Sequence, residues 1–346
     1  MNNDTVSAAV NGTQPVESTI DTQIVRFIYK YVLLIQILFG SSGNVLNLIV
    51  LLSRKMRSRT NLLFALMASA DLAFLLVNSI HVLYANNILQ KGAWFRNAQP
   101  FMTGFVNWCS AISIWCMLYA TIERVQVLRN PFRAVSKRQI SCRFVSTLLG
   151  ICSCSLLLTS FHFVPKDNIR QLPKLAQDGI GWLNALFIIF LPCIISICLN
   201  MLLIHALKRQ KFAANKLAGD DHSANRNLIN TQSKNERKVT FMVVVILSSF
   251  IIFNFPGAVW FVAKMHNVHL GMNINRVNLI QTITNSLAIT GKMLNFVLFC
   301  SSSSHFRAML LSRCRELIRC VLRHRFHHTD PQVSLDSSRR SFGVLF

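Results

Sequence analysis

Residues 181–207 read GWLNALFIIFLPCIISICLNMLLIHAL, a stretch without a single Lys, Arg, Asp or Glu. A helix of about 20 apolar residues is long enough to cross the hydrocarbon core of a bilayer. A run of this length and composition points to lipid as its solvent, where a helix satisfies its own backbone polar groups. Working outward, comparable runs occur near 26–52, 60–84, 98–127, 142–164, 238–263 and 277–301. The third and the seventh carry more polar residues than the rest, as expected of helices turned toward the interior of a bundle. The reading is an all-α membrane protein, a seven-transmembrane helix bundle. Composition points the same way. The chain is 52% hydrophobic and 14% charged, whereas soluble domains carry about 25% charged residues.

The formal net charge of +23 raises nucleic acid as a partner, but the charges lie between apolar runs, with no finger spacing or aromatic-basic groove. Membrane topology accounts for them better. Of the 36 Lys and Arg, 26 fall in the first, third and fifth connections and the C-terminal region, nine in the N-terminal region and the other loops, and Lys292 within a span. Basic loops favour the cytoplasmic side, so the N-terminus is expected outside and the C-terminus inside. Residues 1–25 then form an extracellular tail. It lacks the apolar middle of a signal peptide, so it is expected to stay in the mature chain. Its sequons at Asn3 and Asn11 are glycosylation candidates.

The membrane domain is expected over 26–302, with a polar connection at about 208–237 that should be largely disordered. Beyond it, Phe306, Leu310, Cys314, Leu317 and Val321 share one face among arginines. That pattern predicts an amphipathic eighth helix over 303–322, lying on the inner leaflet, followed by a cytoplasmic tail at 323–346. Cys314 and Cys320 are palmitoylation candidates there. The ten cysteines show no CxxC or Cys/His spacing, so neither a structural disulfide nor a metal is expected. No nucleophile–base pair or phosphate loop suggests an enzyme, and no cofactor is implied. The absence of an internal repeat weighs against an inverted-repeat transporter.

Polar and helix-bending residues within the spans carry a family resemblance. They are Gly43-Asn44-Val45-Leu46, Ala68-Ser69-Ala70-Asp71, Glu123-Arg124-Val125 followed by Asn130-Pro131-Phe132, Pro192, Phe250 with Pro256, Asn295-Phe296-Val297-Leu298-Phe299, and Phe306-Arg307. In this order and spacing over residues 26–320, the chain resembles the rhodopsin-like G-protein-coupled receptors, and among them the divergent invertebrate neuropeptide and chemosensory receptors. The resemblance implies a plasma-membrane receptor for an extracellular peptide or small molecule, coupled to a heterotrimeric G protein, with arrestin as a further partner. It assigns Glu123, Arg124 and Glu236 to a lock at the inner ends of the third and sixth spans. Ile114, Pro192, Phe250, Asn254, Pro256, Asn295 and Phe299 fall at its activation-switch positions. Asn44, Asp71, Ser113 and Lys292 fall at its buried polar site, where many relatives bind sodium. A charge at mid-membrane costs roughly 2.5–3.5 kcal/mol, so Lys292 is expected to pair with Asp71 in place of that ion.

The chain also departs from the family pattern. The bridging disulfide has no cysteines to form it, Asn254 stands at a tryptophan position, Phe296 at a proline position, and Asn200 and Phe299 at tyrosine positions. Val106 occupies the place where amine receptors carry an aspartate, which argues against a small cationic amine. Ligand-pocket candidates are His81, Tyr84, Val106, Trp108, His162, Trp182 and Trp260, although aromatics near the interface also serve as membrane belts. A neuropeptide is the first expectation for the ligand and a chemosensory small molecule the second. A transporter is the remaining alternative.

Overall fold

The computed structural model describes residues 16–329 apart from residues 57, 91, 130–140, 218–224, 267 and 303. In stretches such as 210–217, 225–239 and 320–329 it describes the backbone alone. Among the described residues, seven helices are long and apolar enough to cross a membrane: Ile20–Leu51, Arg59–Ala85, Ala93–Val127, Cys142–Phe163, Lys174–Arg209, Thr240–Lys264 and Ile274–Ser301. They are called the first to seventh spans below. The seven-helix expectation is met.

Local chemistry sets several of their ends. The second and fourth spans begin after serines in extended conformation. Ser58 Oγ accepts from the Asn61 amide at 3.2 Å and Ser141 Oγ from that of Phe144 at 3.4 Å. Such caps satisfy amides that the first helical turn leaves open. The seventh span ends where Arg307 Nη1 donates to the carbonyls of Cys300 and Ser301, at 2.7 and 3.1 Å. A guanidinium there satisfies two of the carbonyls that the last turn leaves open and suits the negative helix end.

Three boundaries differ from the sequence expectations. Helix begins at Val16, within the tail assigned to 1–25, because no Gly or Pro intervenes between Val16 and Phe39. A π-helical turn at Ile28–Val32 joins this helix to the body of the first span. The connection at 208–237 is mostly helix. The fifth-span helix continues to Leu217 and the sixth begins at Asn225, since Lys208 to Leu217 consists mainly of strong helix formers and Gly219 is the first breaker. The C-terminal helix runs over Ser304–Thr329, beyond the expected 322, again with no breaker until Pro331.

The spans form a ring in the order first, second, third, fifth, sixth, seventh, with the fourth packed outside against the third. The third span touches the second, fourth, fifth and sixth, and thus serves as the axis. Phe64, Leu75, Cys116, Leu203, Val243 and Leu247 are buried in one continuous core. Large apolar side chains such as Leu38, Leu149, Leu157 and Ile252 stay exposed on the outside, the arrangement expected where lipid replaces water. Small residues permit close approach. A Cβ on Gly104 would lie 2.4 Å from the ring of Phe163, at the end of the fourth span. Phe299 bridges two elements, with its ring 5.1 Å from Phe64 and 5.5 Å from Phe306 of the C-terminal helix.

Candidate functional site

The most polar point of the core lies midway along the second span. Asp71 is 0% exposed, and a carboxylate buried this deeply requires partners for both oxygens. The seventh span supplies them. Lys292 and Asn295 are three residues apart and so lie on one helix face. Lys292 Nζ donates to Asp71 Oδ1 at 2.6 Å and Asn295 Nδ2 to Oδ2 at 2.9 Å. Phe74, one turn beyond Asp71, presents its ring to the ammonium at 4.6 Å, within cation–π range. Breaking such a buried pair from one side typically costs about 3–5 kcal/mol.

Beside the pair is a cavity of about 30 Å³, enough by that measure for at least one water. Its walls come from four spans. The second contributes Met67 and Asp71, the third Ser110, Ser113, Ile114 and Met117, the sixth Phe250 and Asn254, and the seventh Gly291, Lys292 and Asn295. Two sets of residues that the sequence kept apart, switch positions and buried polar positions, therefore share one cavity. Some members stand off from it. Asn44 Nδ2 turns back to the Gly40 carbonyl of its own helix at 2.9 Å. Pro192 is buried in the fifth span, Pro256 lies inside the sixth helix, and Phe299 sits one turn past Asn295. Sequence reasoning passed over Phe74, Ser110 and Gly291. A signal for the first two exists in their three-residue spacing from Asp71 and Ser113.

Toward the other end of the third span, Arg124 is buried to 8% exposure. Its neighbour Glu123 accepts from the Tyr119 hydroxyl at 3.2 Å. The backbone of Glu236 belongs to the helix Asn225–Met265, but its side chain lies outside the described residues, as do Asn3, Asn11 and the side chain of Cys320. Cys314 is half-buried. A further polar contact ties the fifth and sixth spans: Asn200 Nδ2 donates to Ser248 Oγ at 2.8 Å, and Ser248 donates to the Val244 carbonyl at 2.8 Å.

None of the seven ligand-pocket candidates lines the cavity beside Asp71. Tyr84 and His81 pack on Phe95, with centroids 3.9 and 5.8 Å away. Trp108 donates to the Cys152 carbonyl at 3.0 Å, tying the third span to the fourth. His162 lies against Phe161. Trp182 is 47% exposed and meets His266 edge-on at 5.9 Å. Trp260 donates to Gln281 Oε1 at 3.1 Å, an acceptor shared with Lys264 at 2.6 Å. Val106 packs against the core.

Comparison with known proteins covers the region that holds this site. Residues 43–299 match the family model described as 7 transmembrane receptor (rhodopsin family), a span that takes in Asp71, Arg124, Lys292 and Asn295. The chain is also similar to a Caenorhabditis elegans protein whose name makes it a candidate G-protein coupled receptor. The two are 29% identical over 319 residues, covering 82% of this chain and 72% of the other.

Proposed function

This chain belongs to the rhodopsin family of seven-transmembrane receptors, and from that premise we propose that it binds an extracellular ligand and activates heterotrimeric G proteins. In this reading it is a multi-pass protein of the plasma membrane with its N-terminus outside. The observation that carries the coupling is Arg124. A guanidinium held at 8% exposure near the end of a largely apolar helix carries a desolvation cost that its neighbours must offset, so a rearrangement of those neighbours changes its environment sharply. Exposing it by moving the sixth span away from the third creates a charged cleft. That is a two-state element of the kind signalling needs. Glu236, by its position in the sixth-span helix, is the residue proposed to hold Arg124 in the closed arrangement. Arrestin is a further partner under the same reading.

The proposed ligand is a neuropeptide. Val106 offers no carboxylate to a small amine, and none of the pocket candidates lines the small cavity beside Asp71. That suits a ligand making dispersed contacts across the outer ends. The test is activation of cells expressing the chain, together with a panel of G proteins, by fractionated tissue extracts. Active fractions that lose potency after protease digestion support the peptide. Activity that survives digestion contradicts it and favours a small molecule.

A further inference from the structure

We propose that Tyr119 is a positioning residue that keeps Glu123 away from Arg124, so that the acid next to the buried guanidinium takes no part in holding it. Glu123 and Arg124 are consecutive in the third span, and consecutive side chains leave a helix about 100° apart. A residue four positions away lies on the same face instead, and Tyr119 is that residue. Its hydroxyl donates to Glu123 Oε1 at 3.2 Å. Among the described residues Glu123 makes no ion pair, although a guanidinium is the next side chain along its helix.

The tyrosine is itself held from outside the third span. Its ring stacks on Phe144 of the fourth span, with centroids 6.1 Å apart and planes inclined by 27°. Phe144 is buried to 3% exposure, and its amide donates to the Ser141 cap at 3.4 Å. The guanidinium of Arg59, the first residue of the second span, lies 5.8 Å from the centre of the Phe144 ring, within cation–π range. Side chains of three spans therefore place the phenol, and the phenol places the carboxylate.

The consequence for switching rests on the receptor reading. Were Glu123 turned to Arg124, opening the bundle would have to break that contact as well as the one proposed for Glu236. With the carboxylate on Tyr119, Glu123 adds nothing to the hold. Removing the phenolic hydroxyl releases the carboxylate to its cationic neighbour and makes the closed arrangement harder to leave.

The experiment uses the purified full-length chain in lipid nanodiscs, with two readouts. The first is thermal unfolding, which needs no signalling. Glu123→Gln, Arg124→Gln and the double variant form a cycle, run once with Tyr119 and once with Tyr119→Phe. The losses are expected to add when the tyrosine is present. In the phenylalanine background they are expected to fall short of additivity by about 1–3 °C. Where Arg124→Gln does not fold, the cycle is closed with Tyr119→Phe and Glu123→Leu, whose losses are expected to be less than additive because both remove one bond. The second readout is ligand-free nucleotide exchange on G proteins. Tyr119→Phe is expected to lower it about two- to tenfold when Glu123 is present, and to have no effect when Glu123 is glutamine. Coupling between Glu123 and Arg124 that is equal in both backgrounds overturns the proposal. So do additive losses in the substitute cycle, or a Tyr119→Phe effect on exchange that is the same with and without the Glu123 carboxylate. A chain that shows the expected unfolding cycle but no exchange keeps the placement of Glu123 by Tyr119 and loses the receptor reading.

Discussion

Lys292 and Asp71 are the residues on which the energetics of the bundle interior turn. Lys292→Ala leaves a buried carboxylate without its counter-charge, and about 3–5 kcal/mol of stability should be lost. Replacing the pair by Asp71→Asn and Lys292→Met should recover most of that loss, because a well-packed neutral pair is often as stable as a buried ionic one. Thermal unfolding of the two single variants and the double variant closes the cycle, and additive losses would show that the two residues are not coupled. The requirement for a partner is legible in the sequence, since a lone lysine in an apolar run demands one. Which acid supplies it becomes legible only once the helices are registered against each other, and the family pattern provided that register. Aromatic roles were much less legible. Trp108 and Tyr84 carry the same signal in the sequence whether they meet a ligand, the lipid interface or a neighbouring helix. In the structure Trp108 bonds a fourth-span carbonyl and Tyr84 stacks on Phe95.

At the level of elements, the fifth and sixth spans are joined by the bond from Asn200 to Ser248. An intramolecular hydrogen bond contributes about 0.5–1.5 kcal/mol. Ser248→Ala should therefore shift the balance toward the open arrangement, raising ligand-free signalling by about two- to tenfold at matched surface expression. An unchanged or lower basal signal would remove this bond from the switching mechanism. The spans themselves were readable because 20-residue apolar runs have few alternatives. Their continuations were not. Polar helix such as Lys208–Leu217 has no apolar stripe to announce it, and its residues suit a solvated loop equally well. The same ambiguity hid the helical start at Val16, where Asp21 approaches Arg276 of the seventh span at 3.6 Å.

For the whole molecule, the proposed orientation, with the N-terminus outside the cell, rests on the uneven distribution of Lys and Arg. Single Asn3→Gln and Asn11→Gln substitutions should each raise electrophoretic mobility by one glycan step, and the double variant should equal the enzymatically deglycosylated wild type. No change in mobility would remove this support for the orientation. Under the proposed function, a bundle with its charged pair inside and Arg124 buried near one end changes state at that end in response to a ligand at the other. Nucleotide exchange on purified heterotrimeric G proteins, without ligand, tests that most directly. Wild type, Arg124→Ala and Glu236→Ala are compared in nanodiscs at equal receptor density. The account predicts exchange above the empty-disc background for the wild type, an increase for Glu236→Ala and loss to background for Arg124→Ala. If all three match empty discs across the G-protein classes, the chain keeps the receptor fold but does not couple as proposed.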